Sequence, residues 1–332
     1  MVAGYRKWFI DLLNFESIKV MKALTVQGSA FRGYNQIRRN AMHPLIEKLI
    51  KEGPVVTDGS WGTQLQNRGL KRGECPDSWN LSHPERVEEV AGQYVEAGSQ
   101  IILTNTFGGN RLSLERFNMG DKAVAINIAG VEISKKAAGN RAAVFASIGP
   151  TGKMLLTKET TEGELQNAFE EQADAQARAG ADGIIVETMI DITEAGIAAK
   201  AAKRTGLPVI ASMVFDSGVD QDTTLMGVTP EAAVDEFTKI GVDGVGANCG
   251  QGIEGYIPIC RRMRAITDLS IWIKPNAGLP EIIDEETIFY TTADEFVNFV
   301  PDLIEAGADF IGGCCGSDQS FVSAIRKIIA DL

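Results

Sequence analysis

The sequence predicts an α/β fold, a single (β/α)8 TIM barrel behind an N-terminal extension. From residue 55 onward, eight short apolar runs alternate with longer amphipathic stretches, the rhythm of buried strands and surface helices. Four of those stretches stop just before a run, at Gly98, Gly180, Gly241 and Gly307, where a left-handed cap suits glycine. No G-x-G-x-x-G turn follows the first run, as it would in an open dinucleotide-binding sheet.

Residues 1–41 hold seven Lys/Arg against two Asp/Glu and show no sustained period. They lack the apolar stretch and small-residue cleavage site of a secretory signal, and Asp11 and Glu16 fit a transit peptide poorly. The expectation is a poorly ordered tail, or an upstream start ahead of a natural start at Met42. The barrel domain is then 42–332. Strands are expected at 55–60, 100–107, 143–150, 183–189, 208–215, 244–250, 270–278 and 310–317. Small and β-branched residues with few charges mark strands covered on both faces. Helix starts are expected at Ser82 with Glu85, Thr161 with Glu164 and Thr292 with Glu295, each an S/T-x-x-E capping pattern. Thr229-Pro230 opens another, with proline in the first turn.

The 332 residues carry 32 Lys/Arg and 44 Asp/Glu, a net charge of −12. That balance excludes a general binder of nucleic acid or anionic membrane, which needs a basic footprint. No run of about 18 apolar residues appears, and five cysteines are too few for a disulfide scaffold. A cytoplasmic location is expected. Only His43 and His83 are present, so most histidine-based catalytic machinery is ruled out.

Working residues of such a barrel lie at the C-terminal ends of its strands. Strand 6 ends in Asn248-Cys249-Gly250, and strand 8 in Gly312-Gly313-Cys314-Cys315-Gly316. In barrel order strand 7 lies between them, so the three thiols can face one point. A Cys₃ set without histidine suits Zn²⁺, and three protein ligands leave a fourth position open, as in catalytic sites. A thiol entering that position loses its proton on coordination, and no general base is needed. Cys75 and Cys260 read as core residues. A competing reading takes Gly312, Gly313 and Gly316 as a phosphate-binding loop of a barrel isomerase or aldolase. It leaves the cysteine pair unexplained. Asp58 and Glu187 also end strands. Buried carboxylates need a partner; an amino-acid ammonium group is one, a turn cap or an internal salt bridge another.

Together TDGSWGT, TNTFGGNR, ASIGPTG, VETM, ANCG, KPNAGLP and GGCCG resemble the zinc-dependent homocysteine S-methyltransferase family, most of all the homocysteine module of cobalamin-dependent methionine synthases. The resemblance runs in order over roughly residues 50–317. It implies that Cys249, Cys314 and Cys315 hold zinc and that Asp58 and Glu187 bind the amino group of homocysteine. It also implies transfer of a methyl group onto the homocysteine thiolate, giving methionine. The chain departs from the family pattern at DGSWGT, where DGAMGT is usual, and after GGCCG, where SDQSF replaces a threonine-proline-glutamate run. At this length, folate and cobalamin modules are not expected. The expected donor is therefore a small methyl sulfonium or ammonium compound, or methylcobalamin on a separate corrinoid protein. A corrinoid system with another acceptor thiol and a non-enzymatic metal-holding barrel are the remaining readings. Trp61, Phe107 and Trp272 are the aromatic residues that could meet a cationic donor, although packing is the commoner role of aromatic residues at such positions.

Overall fold

Each predicted apolar run supplies one strand of an eight-stranded parallel sheet in the computed structural model, which describes residues 42–283 and 286–332. The strands are β1 (Val55–Val56), β2 (Ile101–Leu103), β3 (Ala143–Ile148), β4 (Gly183–Met189), β5 (Val209–Met213), β6 (Gly244–Cys249), β7 (Ser270–Pro275) and β10 (Phe310–Ile311). Their order is β1-β10-β7-β6-β5-β4-β3-β2. Two short antiparallel strands, β8 (Glu281–Ile283) and β9 (Glu286–Ile288), form a separate hairpin after β7. The sequence reading did not anticipate it. Leu45–Leu332 form one compact unit, and the expectation for 1–41 lies outside the described residues.

The barrel is nearly closed. Its seam lies between β1 and β2, where side chains replace a regular ladder. Gln100 N–H donates to the Val56 carbonyl at 2.7 Å, and the Gln100 side-chain oxygen accepts from Val56 N–H at 3.0 Å. Leu103 N–H donates to the Asp58 carboxylate at 2.7 Å. Several strands are shorter than their apolar runs because the chain turns early into the loops of the barrel mouth. After Val56, for example, Ser60 already caps the helix Trp61–Gln66 by accepting from Thr63 N–H.

Alternation along the strands sorts their side chains onto two faces. Val144, Ala146, Ile184, Val186, Ala211, Val245 and Ile271 join one cluster with helix residues such as Val131, Phe169 and Tyr256. The opposite parity fills the barrel: Phe145 stacks on Trp272 with centroids 6.3 Å apart, and Trp272 meets Phe310 at 5.5 Å. Room for Trp272 comes from Gly246 opposite it, where a Cβ would lie 2.2 Å from the Trp272 carbonyl oxygen.

Helix boundaries follow local chemistry. Thr161 with Glu164 and Thr292 with Glu295 both form capping boxes, and Thr229 caps the helix Pro230–Ile240. The start expected at Ser82 shifts by one residue. His83 occupies the cap without a side-chain bond, and Pro84 takes the first position. The Ser82 hydroxyl instead donates back to the Ser78 carbonyl, closing the preceding turn. Gly98, Gly180, Gly241 and Gly307 all have positive φ, as their helix-ending role requires.

Gly246→Ala should cost about 2 kcal/mol or more through overpacking against β7. Gly163→Ala, in a helix where a Cβ meets nothing within 4 Å, should be neutral or stabilise by up to about 1 kcal/mol. Urea denaturation of both variants checks the pair, and equal midpoints would remove the packing argument.

Candidate metal centre

The three sulfurs meet because β7 pairs with both β6 and β10. Cys249 ends β6 with φ 64°, an uncommon left-handed conformation for a residue bearing a side chain. Two bonds to its carbonyl hold it there, from Tyr256 OH at 2.8 Å and Gln251 N–H at 2.7 Å. Gly250 follows with φ 65°, and a Cβ there would lie 2.8 Å from Val214. On the other side, Cys314 N–H donates to the Pro275 carbonyl at 2.6 Å, and Cys315 N–H donates to Asn276 Oδ1 at 3.1 Å. The end of β7 thus positions the cysteine pair directly.

Cys249, Cys314 and Cys315 Sγ atoms all lie within 4.8 Å of one another, and Cys249 to Cys315 is 3.9 Å. Tetrahedral zinc with bonds of about 2.3 Å needs sulfurs roughly 3.8 Å apart. The donor set fits that ion, and its sulfurs are free thiols that are only partly buried. It is the one such group of His, Cys, Asp or Glu found among the described residues. For Cys249, contact with Cys314 lowers the thiol pKa, but contact with Cys315 and burial outweigh it and push the value up to about 12. Cys314 and Cys315 are also raised. Three ionised sulfurs this close need a cation between them. Cys75 and Cys260 are both buried elsewhere, as expected of core residues.

Beneath the sulfurs lies a polar layer, one alternation above the aromatic one. Ser147, Glu187 and Lys274 each sit two residues beyond the interior residues Phe145, Ile185 and Trp272. Lys274 pairs with Asp58 Oδ1, and both side chains are buried. Asp58 Oδ2 accepts from Trp61 Nε1 at 2.8 Å and from Leu103 N–H. Burial alone would depress the Lys274 ammonium, but Asp58 and Glu187 outweigh it and hold its pKa above the usual value. Glu187 accepts from Ser147 Oγ at 2.5 Å. Burial raises its pKa, while Lys274 and the Ser147 bond oppose that shift.

Two expectations meet the geometry differently. Trp272 is wholly buried in the barrel, with Lys274 Nζ 5.9 Å from its ring centroid, so it faces no external donor. Phe107 remains 40% exposed, and Trp61 is half-buried against Tyr94. The phosphate-loop reading fails on donors. Each N–H from Gly312 to Ser317 is already engaged, with Ile273, Asp58, Pro275, Asn276, Thr63 and Cys314 as acceptors. The glycines also make room for the chain itself, since a Cβ at Gly312 would sit 2.0 Å from Thr57 Oγ1.

A parallel barrel that gathers free thiols at its C-terminal mouth defines a class, the barrel enzymes whose cysteine cluster could hold a metal. Within that class, the chain belongs to the homocysteine S-methyltransferase family, whose model matches residues 55–329. It is 28% identical over 305 residues to the methionine synthase of Mycobacterium tuberculosis (strain ATCC 25618 / H37Rv), covering 86% of this chain and 25% of that protein. The Mycobacterium leprae (strain TN) methionine synthase is 27% identical over 307 residues, with the same coverage. The chain thus spans about a quarter of the length of these relatives. Among solved structures, the metallated form of the homocysteine methyltransferase MmuM from Escherichia coli superimposes with a TM-score of 0.72. That match has 22% identity and covers 86% of this chain and 100% of the other. It shows a shared fold.

Sequence reasoning missed Lys274, Asn248 and Tyr256. Lys274 carried a signal, because a charge inside the apolar run SIWIKP has to find a partner. Asn248 Oδ1 accepts from Thr188 N–H and Ser212 Oγ, and its Nδ2 donates to Thr188 Oγ1. Nothing in the sequence announces that clamp. Tyr256→Phe removes the hydroxyl bonds to Asn248 and Cys249. It should leave the fold intact and weaken zinc affinity about 10-fold or more, read by competition with a chromogenic chelator. Unchanged affinity would show that the carbonyl clamp is dispensable.

Proposed function

We propose that this protein is a zinc-dependent S-methyltransferase that moves a methyl group onto the thiolate of homocysteine, giving methionine. The observation that carries the reading is the set of three sulfurs within 4.8 Å at the barrel mouth. Family membership over 55–329 supports the acceptor.

Cys249, Cys314 and Cys315 would hold the ion as thiolates. Bound there, zinc supplies the Lewis acidity that lets an acceptor thiol lose its proton at neutral pH. Asp58 and Glu187 form the acidic floor over which an amino-acid ammonium is held, with Lys274 keeping that floor from carrying two uncompensated charges. Positioning of the acceptor sulfur by this floor is what the chain contributes to rate. No helix among the described residues is long and apolar enough to cross a membrane.

The donor is a small methyl sulfonium or ammonium compound, or methylcobalamin. Exposed Phe107, Leu156, Val219, Leu225 and Leu279 stand on the loops after β2, β3, β5 and β7.

Two measurements test the reading. Zinc content should fall from about one equivalent in the wild type to well below half in Cys249→Ser, because a three-thiolate site loses a ligand. Equal content in both would place the metal elsewhere. Zinc-loaded protein with homocysteine should form methionine from at least one of methylcobalamin, a methyl sulfonium and a betaine. Silence with every donor would discard the catalytic reading.

A further inference from the structure

We infer that Gln251 is a positioning residue that couples the loop between β5 and the helix Pro230–Ile240 to the metal centre, so that loop and thiols hold one another in place. The inference rests on the metal proposed above at the three cysteines and adds to it the loop that responds to that metal.

Gln251 lies where the ends of β5, β6 and β7 meet. Its N–H donates to the Cys249 carbonyl at 2.7 Å, and its carbonyl accepts from Asn276 N–H at 3.0 Å. Asn276 Oδ1 in turn accepts from Cys315 N–H. One residue's backbone thus bridges the two turns that carry the thiols. The side chain runs the other way. Nε2 donates to the Phe215 carbonyl at 2.6 Å and to the Gln221 carbonyl at 3.1 Å, gripping the loop at its base and near its tip. Gln251 is 7% exposed, and a buried amide stripped of its acceptors is costly.

Two glycines stiffen the link. A Cβ at Gly250 would lie 2.9 Å from Asp216 Cβ, so the residue after Cys249 packs directly on the start of the loop. Gly255 leaves the space that the Gln251 side chain occupies, since a Cβ there would sit 1.8 Å from Gln251 Oε1. The loop is a small hairpin in which Asp216 and Ser217 N–H donate to the Thr223 carbonyl and Thr223 N–H donates to that of Ser217. A separate anchor is Arg262, which pairs with Asp222 in the loop and with Glu231 in the following helix. Gathering Cys249 with Cys314 and Cys315 around a cation therefore fixes Gln251, and Gln251 fixes the loop. Coupling of this kind is reciprocal, so the ordered loop strengthens cation binding in turn.

Hydrogen exchange of the peptide spanning 216–228, read by mass spectrometry with and without zinc, tests the coupling. In the wild type, zinc should slow that exchange about 5-fold or more, the lower end of common coupling strengths. Gln251→Met keeps the length of the side chain but removes its donor. Gly255→Ala drives the Gln251 side chain out while favouring the helix Ile253–Arg264. Each variant should bind zinc more weakly, and zinc should then slow loop exchange by less than about 2-fold. They act at different positions, so one remains informative if the other does not fold. Arg262→Gln should speed exchange with and without zinc but keep the ratio between the two, which separates anchoring of the loop from coupling. A ratio retained in Gln251→Met and Gly255→Ala, or lost in Arg262→Gln, overturns the inference. A wild type that binds zinc with no change in loop exchange overturns the inference alone. One that binds no zinc removes the metal reading and the inference with it.

Discussion

Two ladders of backbone hydrogen bonds, one on each side of β7, fix the distance between Cys249 and a cysteine pair more than sixty residues further along the chain. Everything at the mouth depends on that register. Asn248 stands opposite Lys274 and Cys249 opposite Pro275, so β6 delivers its thiol level with the end of β7. Cys314 then bonds to the Pro275 carbonyl from the other side. A slip of one residue in either ladder would turn alternate side chains to the opposite face. The sulfurs would separate and Lys274 would enter the helix layer.

The polar layer shows how a barrel interior tolerates charge. Two carboxylates and one ammonium lie where the barrel would otherwise be apolar, a costly arrangement unless each group is compensated. Asp58 is met by Lys274, Trp61 and a backbone N–H, while Glu187 has a single hydroxyl. The layer is therefore complete at one end and open at the other. Its open end lies beneath the thiols, which are themselves ill suited to ionise together without a cation. Stability is held back in the same place where binding is needed.

Much of this was legible beforehand. The eight strands, two capping boxes and the helix-ending glycines follow from local patterns, because periodicity and backbone conformation are properties of a few neighbouring residues. The convergence of Cys249, Cys314 and Cys315 was legible too, since barrel order places strand 7 between strands 6 and 8. Partnerships across the barrel were not. That Asp58 would be taken by Lys274, 216 positions away, depends on side-chain reach rather than pattern. Trp272 took the packing reading rather than the donor one: its place in strand 7 was clear, but which face it occupied followed from Gly246 opposite it. The hairpin after β7 left only a short, charged stretch as its signal.

Strain gathers at the same strand ends. Thr188, the last residue but one of β4, and Cys249, which ends β6, have φ of 61° and 64°, left-handed values that residues with side chains seldom adopt. One side chain ties them together. Asn248, adjacent to Cys249, holds the Thr188 backbone N–H and hydroxyl, while its own carbonyl accepts from Tyr256. Thr188 in turn follows Glu187. The free carboxylate and the first thiol are thus set by one buried amide, so neither can relax without disturbing the other. Unfavourable backbone conformations of this kind persist only where neighbours over-determine them. Here the neighbours are a tyrosine, a serine and an asparagine that touch no thiol sulfur, and they hold in place the acid and the sulfur on which the proposed chemistry turns.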